Sequence, residues 1–154
     1  MMRIAMGADN AGANLKNLLK TRLEARSDVA VTDRGVEDAE ATTAYPHIAL
    51  DVARVVAAGE ADRGLLICGT GIGMAITANK VAGIRATVAH DSYSVERSVL
   101  SNNCQILTLG ARVIGTELAM RLVDEWLTYE FDETSASAGK VAVIEAWEAA
   151  GKET

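Results

Sequence analysis

Leu65-Leu66-Ile67-Cys68-Gly69-Thr70-Gly71-Ile72-Gly73-Met74 is the stretch whose reading decides the fold. Its apolar run ends on a cysteine and reads as a short, fully apolar strand. The glycines at 69, 71 and 73 mark a turn into a helical pattern from Met74 to Lys80. A strand feeding such a turn makes a small-anion pocket. Without a Cβ, the backbone takes dihedrals closed to other residues and aims amide N–H groups at negative charge over the helix start. Cys68 stands at the rim, where a thiolate is stabilised, as a proton-abstracting or nucleophilic cysteine requires.

The glycine spacing departs from G-x-x-x-x-G-K-[ST], which disfavours a nucleotide P-loop. Asp91, about 20 positions on, is followed by a helix-like segment, so a ribose-holding dinucleotide site is not indicated either. A cysteine by itself reads as packing. What singles out Cys68 is its place at the carboxyl end of a strand, where parallel sheets bind ligands.

Working outward, Arg3 to Ala8 reads as a first strand, and Gly7-Ala8-Asp9-Asn10-Ala11-Gly12 as the turn leaving it, with Asp9 or Asn10 the natural N-cap. Leu15, Leu18, Leu19 and Leu23 then fall on one helix face, with Lys16, Lys20, Arg22 and Arg26 outside it. Val29 to Thr32 is a second strand, and Asp33 to Thr43 a polar loop. Tyr45-Pro46-His47 opens a helix whose apolar face is Ile48, Val52, Val55 and Val56, and Gly59 ends it. Beyond the glycine turn come a strand from Ile84 to Val88, a helix from Tyr93 to Leu100 and a strand from Ile106 to Leu109. A helix carrying Leu118, Leu122 and Trp126 follows. Asp132 to Gly139 is a small, polar connector, and Val141, Ile144 and Trp147 mark a last amphipathic helix that needs a docking surface.

Hydrophobic residues make up 49% of the 154 and aromatic residues 4%, so the core must be aliphatic, as suits a parallel sheet covered by helices. The formal net charge of -6 argues against nucleic-acid or anionic-membrane partners. No signal-peptide pattern opens the chain and no apolar run is long enough for a membrane span, which predicts a cytoplasmic protein. Cys68 and Cys104 lack C-x-x-C spacing, so neither a zinc site nor a disulfide framework is indicated. The predicted architecture is α/β: a Rossmann-like, three-layer, doubly wound sheet of about five parallel strands. It forms one domain over 1–154, with 132–154 a connector and a helix docking on a partner subunit.

Gly7-Ala8-Asp9 with Ala11-Gly12, Tyr45-Pro46-His47, Ile67-Cys68-Gly69-Thr70-Gly71-Ile72-Gly73, Ala78-Asn79-Lys80 and Gly83-Ile84-Arg85-Ala86 carry a resemblance. With Ser101-Asn102-Asn103 and Gly110-Ala111-Arg112-Val113-Ile114-Gly115, they resemble the ribose-5-phosphate isomerase B and galactose-6-phosphate isomerase family over almost the full length. The resemblance implies a cofactor-free, metal-free aldose–ketose isomerase acting on a small phosphorylated sugar. It also implies a homodimer or dimer of dimers with shared sites. Carried over by position, the resemblance implies that Cys68 is the base moving a proton between C1 and C2 and that Thr70 assists it. It likewise implies that the amides of Gly69, Gly71 and Gly73 hold the enediolate oxygen, that Asp9 and Asn102 bind sugar hydroxyls, and that Arg112 reaches the phosphate, across the dimer or within the chain. His90, at the end of the fourth strand, is placed to contact sugar or phosphate, with a hydrogen-bonded structural role as the alternative.

The departures from the family bear on the substrate. Members acting on ribose 5-phosphate carry histidines where this chain has Asn10 and Ser101, and two arginines near the C-terminus where the connector Thr134-Ser135-Ala136-Ser137-Ala138-Gly139-Lys140 offers Lys140 alone. Asn10 and Lys140 are therefore kept with the substrate-binding set. A tetrose 4-phosphate has its C4 oxygen esterified and closes no furanose ring, so its isomerase has no ring to open. The segment His90 to Arg97 with Leu100 to Asn103 is also similar to the branch that interconverts D-erythrulose 4-phosphate and D-erythrose 4-phosphate. That pair is the favoured substrate, ribose 5-phosphate the alternative, and a non-catalytic sugar-phosphate-binding module the remote one.

Overall fold

The computed structural model describes residues 1–151. In chain order the elements are β1 (Met2–Ala8), α1 (Ala13–Glu24), β2 (Val29–Asp33), α2 (Tyr45–Ala57), β3 (Arg63–Cys68) and α3 (Ile72–Ala78). Then come β4 (Ala86–Val88), α4 (Ser92–Leu100), β5 (Ile106–Gly110), α5 (Thr116–Trp126) and α6 (Ala138–Ala149). The strands form one parallel sheet in the order β2-β1-β3-β5-β4. Between β1 and β3 the winding reverses, and the carboxyl ends of these two strands carry Asp9 and Cys68. Such a reversal opens the crevice where doubly wound sheets bind ligands.

The apolar run over residues 65–68 of β3 follows from its place at the centre of the sheet. Leu65 and Ile67 point into a core with Leu19 and Leu23 of α1 and Leu122 and Trp126 of α5. Leu66 and Cys68 point into the opposite core with Ile48 and Val52 of α2 and Met74 of α3. Both faces are covered, so period-two alternation has nothing to separate. Cys68 therefore belongs to the layer beneath α2 and α3. None of the helices among the described residues is long and apolar enough to cross a membrane.

Several local readings are corrected. The buried face of α1 is Ala13, Lys16, Leu19 and Leu23, while Leu18 is exposed. Lys16 goes inward because Asp33, at the end of β2, takes its ammonium at 2.6 and 2.7 Å. The N-cap of α1 is Gly12, because the Asp9 carboxylate accepts the Gly12 N–H instead of one inside the helix. α3 starts at Ile72, before Met74, and ends at Ala78, short of Lys80. β4 starts at Ala86, not Ile84, since the Gln105 side chain accepts the Arg85 amide and Asn79 brackets both backbone groups of Ala86. The stretch after Asp33 is partly ordered along β1: Val36 N–H donates to Ala8 O and Ala8 N–H to Gly35 O, both at 2.7 Å.

α6 buries Val141 but leaves Ile144 and Trp147 half exposed. It is tied to its own chain by polar contacts: Glu145 pairs with Arg85 at 3.0 Å and Glu148 accepts the Gly83 N–H at 2.8 Å.

Candidate active site

A hollow of about 420 Å³ opens at the carboxyl ends of β1 and β3, lined by Asp9, Tyr45, Cys68, Gly69, Thr70, Ile72, Gly73, Ile76 and Arg112. Four stretches of the chain meet there. Cys68 is the last residue of β3, and its sulfur accepts the N–H of Gly71 at 3.1 Å. Gly71 turns the chain into α3 with φ of 80°, a left-handed conformation that glycine adopts without strain. Its carbonyl is fixed by the buried Thr108 hydroxyl at 2.7 Å, so the turn is anchored to β5 on one side and to sulfur on the other. The Thr70 hydroxyl accepts the Ile72 N–H at 3.3 Å at the exposed mouth.

The loop after β5 is stitched to this turn. Cys68 and Gly110 are register partners, Ala111 N–H donates to Cys68 O at 2.9 Å, and Arg112 N–H to Gly69 O at 3.0 Å. Gly110 must be glycine here: a Cβ would stand 2.7 Å from the Thr70 backbone. Arg112 lies across the turn, its Nη1 3.1 Å from where a Gly69 side chain would begin. From the β1 side, Asp9 is held by its N–H to Ile67 O at 3.3 Å and by one carboxylate oxygen accepting from Gly12. The hollow thus sets a cation and a carboxylate around a thiol, with backbone amides beneath.

The structure gathers Asp9, Cys68, Gly69, Thr70, Gly73 and Arg112 at one hollow, so Arg112 lies beside the Cys68 of its own chain. Other expected residues lie elsewhere. The Gly71 amide, expected at an enediolate oxygen, is committed to the Cys68 sulfur. Asn10 is exposed outside the hollow. His90 points its Nε2 at the Gly110 N–H, 2.9 Å away, and takes the structural alternative. Burial pushes its pKa down, against Asp91, which raises it. Asn102 donates to Arg97 O at 2.9 Å and lines a separate hollow of about 510 Å³ with Arg85 and Arg97. Lys140 is exposed in the first turn of α6.

Tyr45 is a lining residue that sequence reasoning reads only as a helix opener. Its ring packs on Gly73, 2.6 Å from where a Cβ would stand, and so walls the hollow from the α2 side. The pairing of a tyrosine at a helix start with a glycine in the turn was the available signal.

Residues 4–144 match the family model described as Ribose/Galactose Isomerase. D-erythrulose-4-phosphate isomerase 2 of Mycolicibacterium smegmatis is 59% identical over 97% of this chain and 99% of its own length. Ribose-5-P isomerase B of Listeria innocua is 50% identical over 94% and 95%. The structure of Clostridium thermocellum ribose-5-phosphate isomerase B superposes with a TM-score of 0.91 at 43% identity, covering 97% of this chain and 99% of that one. The family model that spans residues 4–144, with relatives and a solved structure matched over nearly their whole length, places the chain in the ribose/galactose isomerase family.

Proposed function

We propose that this isomerase interconverts D-erythrulose 4-phosphate and D-erythrose 4-phosphate, with Cys68 as the base. The observation that carries the reading is the thiol of Cys68, oriented by the Gly71 amide, facing a hollow that also holds Asp9 and Arg112. The Cys68 thiolate takes a proton from C1 of the ketose, and the electrons left behind make a 1,2-enediolate with its charge on the C2 oxygen. The Gly69 and Gly73 amides remain to donate to that oxygen, each such donor lowering the barrier by about 3 kcal/mol. The thiol then returns a proton to C2, while a proton passes from O1 to O2 by way of the Thr70 hydroxyl at the mouth. The product is the aldose, and the cysteine is again a thiolate. Asp9 accepts from a sugar hydroxyl and Arg112 holds the phosphate.

The tetrose is favoured by chemistry and by likeness. Asn10 and Ser101 stand where the resembled ribose 5-phosphate members carry histidines linked to ring opening and phosphate binding, and a 4-phosphorylated tetrose has no ring to open. The M. smegmatis relative, 59% identical, is named for the same substrate. Asn102 and Lys140, remote from Cys68 in their own chain, fit a homodimer in which each subunit lends them to its partner's hollow. The half-exposed Ile72 and Ile76 at the rim are the apolar surface such a partner would cover. The test is kcat/KM on erythrulose 4-phosphate, ribose 5-phosphate and allose 6-phosphate. A preference of at least about tenfold for the tetrose supports the reading. A preference for ribose 5-phosphate defeats it.

A further inference from the structure

His90 lies just past the end of β4, an edge strand of three residues. Ladder pairing between β4 and β5 ends with Val88 opposite Thr108, although β5 runs on to Gly110. The Gly110 N–H therefore has no backbone acceptor from β4, and the His90 imidazole supplies one through Nε2 at 2.9 Å. The next two amides, of Ala111 and Arg112, donate the other way, to Cys68 O and Gly69 O. Gly110 is thus clamped between an imidazole and the glycine turn, and Arg112 follows directly from the clamp.

A nitrogen that accepts an N–H carries no proton, so the His90 in this contact is the neutral tautomer with its hydrogen on Nδ1. An imidazolium has no acceptor to offer, and protonation would turn two N–H groups on each other. We propose that His90 is a positioning residue: neutral, it fixes Gly110 and so sets the Arg112 guanidinium over the glycine turn; protonated, it releases that loop and weakens binding of the anionic end of the substrate. Asp91, on its own turn, is the charged group that acts on His90, while Cys68 at the end of β3, Asp9 beyond β1 and Arg112 beyond Gly110 stand around the hollow on the far side of the clamp. Burial favours the neutral ring and Asp91 opposes it, with burial prevailing. The carboxylate of Asp91 is itself engaged, accepting the Ser94 N–H at 2.7 Å.

This inference rests on Arg112 as the anion-binding residue of the proposed function. The test compares wild type, His90→Gln and His90→Phe with erythrulose 4-phosphate between pH 5 and 8. Gln keeps an acceptor that does not titrate, whereas Phe keeps a ring without one. The wild type is expected to match His90→Gln in KM near pH 8 and to rise above it by roughly tenfold at pH 5, with kcat moving little. His90→Phe is expected to hold the raised KM at every pH. The substrate phosphate titrates in all three proteins alike, so it cancels in the comparison. If wild type and His90→Gln give superimposable KM profiles, the proposal is overturned. Nitrogen-15 NMR of the two histidines, assigned with His47→Gln, reads the contact without turnover: a hydrogen on Nδ1 of His90 is expected, and one on Nε2 overturns it. An Arg112→Ala protein with unchanged KM would instead refute the anion role of Arg112 while the NMR result stood.

Discussion

The sulfur of Cys68 accepts the backbone N–H of Gly71 three residues along, at 3.1 Å, across a turn that only a left-handed residue closes. This contact orients the thiol toward the hollow and removes one amide from the set otherwise open to a substrate oxygen. It also separates the two cysteines by environment.

Both cysteines are buried, Cys68 at 5% and Cys104 at 8% exposure, so accessibility alone does not distinguish them. Burial pushes the Cys104 thiol up to about 11, against a lowering by Arg85, and keeps it protonated at neutral pH. Iodoacetamide at pH 8 is expected to modify Cys68 first, in step with loss of turnover, and a substrate analogue to slow both. Peptide mass spectrometry reads the order of labelling.

Gly110→Ala places a methyl group 2.7 Å from the Thr70 backbone, and neither side is a flexible side chain. Displacing the turn by a few tenths of an ångström moves both the thiol and Arg112. A fall in kcat/KM on the order of a hundredfold is expected, with the melting temperature lowered only modestly. Steady-state kinetics beside calorimetry separates the two effects.

Lys16 is fully buried, and Asp33 is its anion. Burial raises the Asp33 carboxyl, but Lys16, the Gly35 amide and Lys20 together hold it below the usual aspartate range. With its folded pKa depressed, the pair stabilises the protein above the unfolded aspartate pKa, and that contribution fades as pH falls through it toward the folded value. Asp33→Ala leaves a buried ammonium without its main partner and is expected to cost about 3 kcal/mol at pH 7. The difference from wild type should shrink as pH is lowered below about 4, as urea melts at several pH values would show.

The proposed sharing of sites between subunits predicts rescue in trans. Cys68→Ala and Asn102→Ala chains are each expected to be weak alone. Refolded together, they are expected to recover about a quarter of wild-type turnover, the statistical share for random pairing of two chains. Activity no greater than the sum of the separate proteins would place Asn102 outside the partner's hollow.

Much of the architecture was legible because strand and helix periods alternate cleanly and because a short, fully apolar run followed by glycines suits a parallel sheet covered by helices. Residues at strand ends were legible for the same reason: a doubly wound sheet gathers Asp9 and Cys68 at its carboxyl edge, though only the observed strand order puts them on neighbouring strands. Lys16 was misread because helix periodicity assigns a lysine to solvent, and only the fold brings Asp33 beneath it. Arg63 was read past altogether, although it donates to the carbonyls of Trp126 and Tyr129 and lies 5.1 Å from the Trp126 ring, closing the end of α5. Such contacts join residues 63 and 66 positions apart, beyond the reach of any local pattern. His90 shows the opposite limit. The sequence places it at the right edge of the sheet, but the early end of β4 decides that it serves Gly110.

The most direct measurement of the central claim is proton exchange at C1 of erythrulose 4-phosphate in heavy water, followed by NMR with wild type and Cys68→Ala. Wild type should introduce deuterium there during turnover, and the variant should slow both exchange and aldose formation by at least about a thousandfold while remaining folded. Exchange by Cys68→Ala at a rate near that of wild type would show that another group moves the proton.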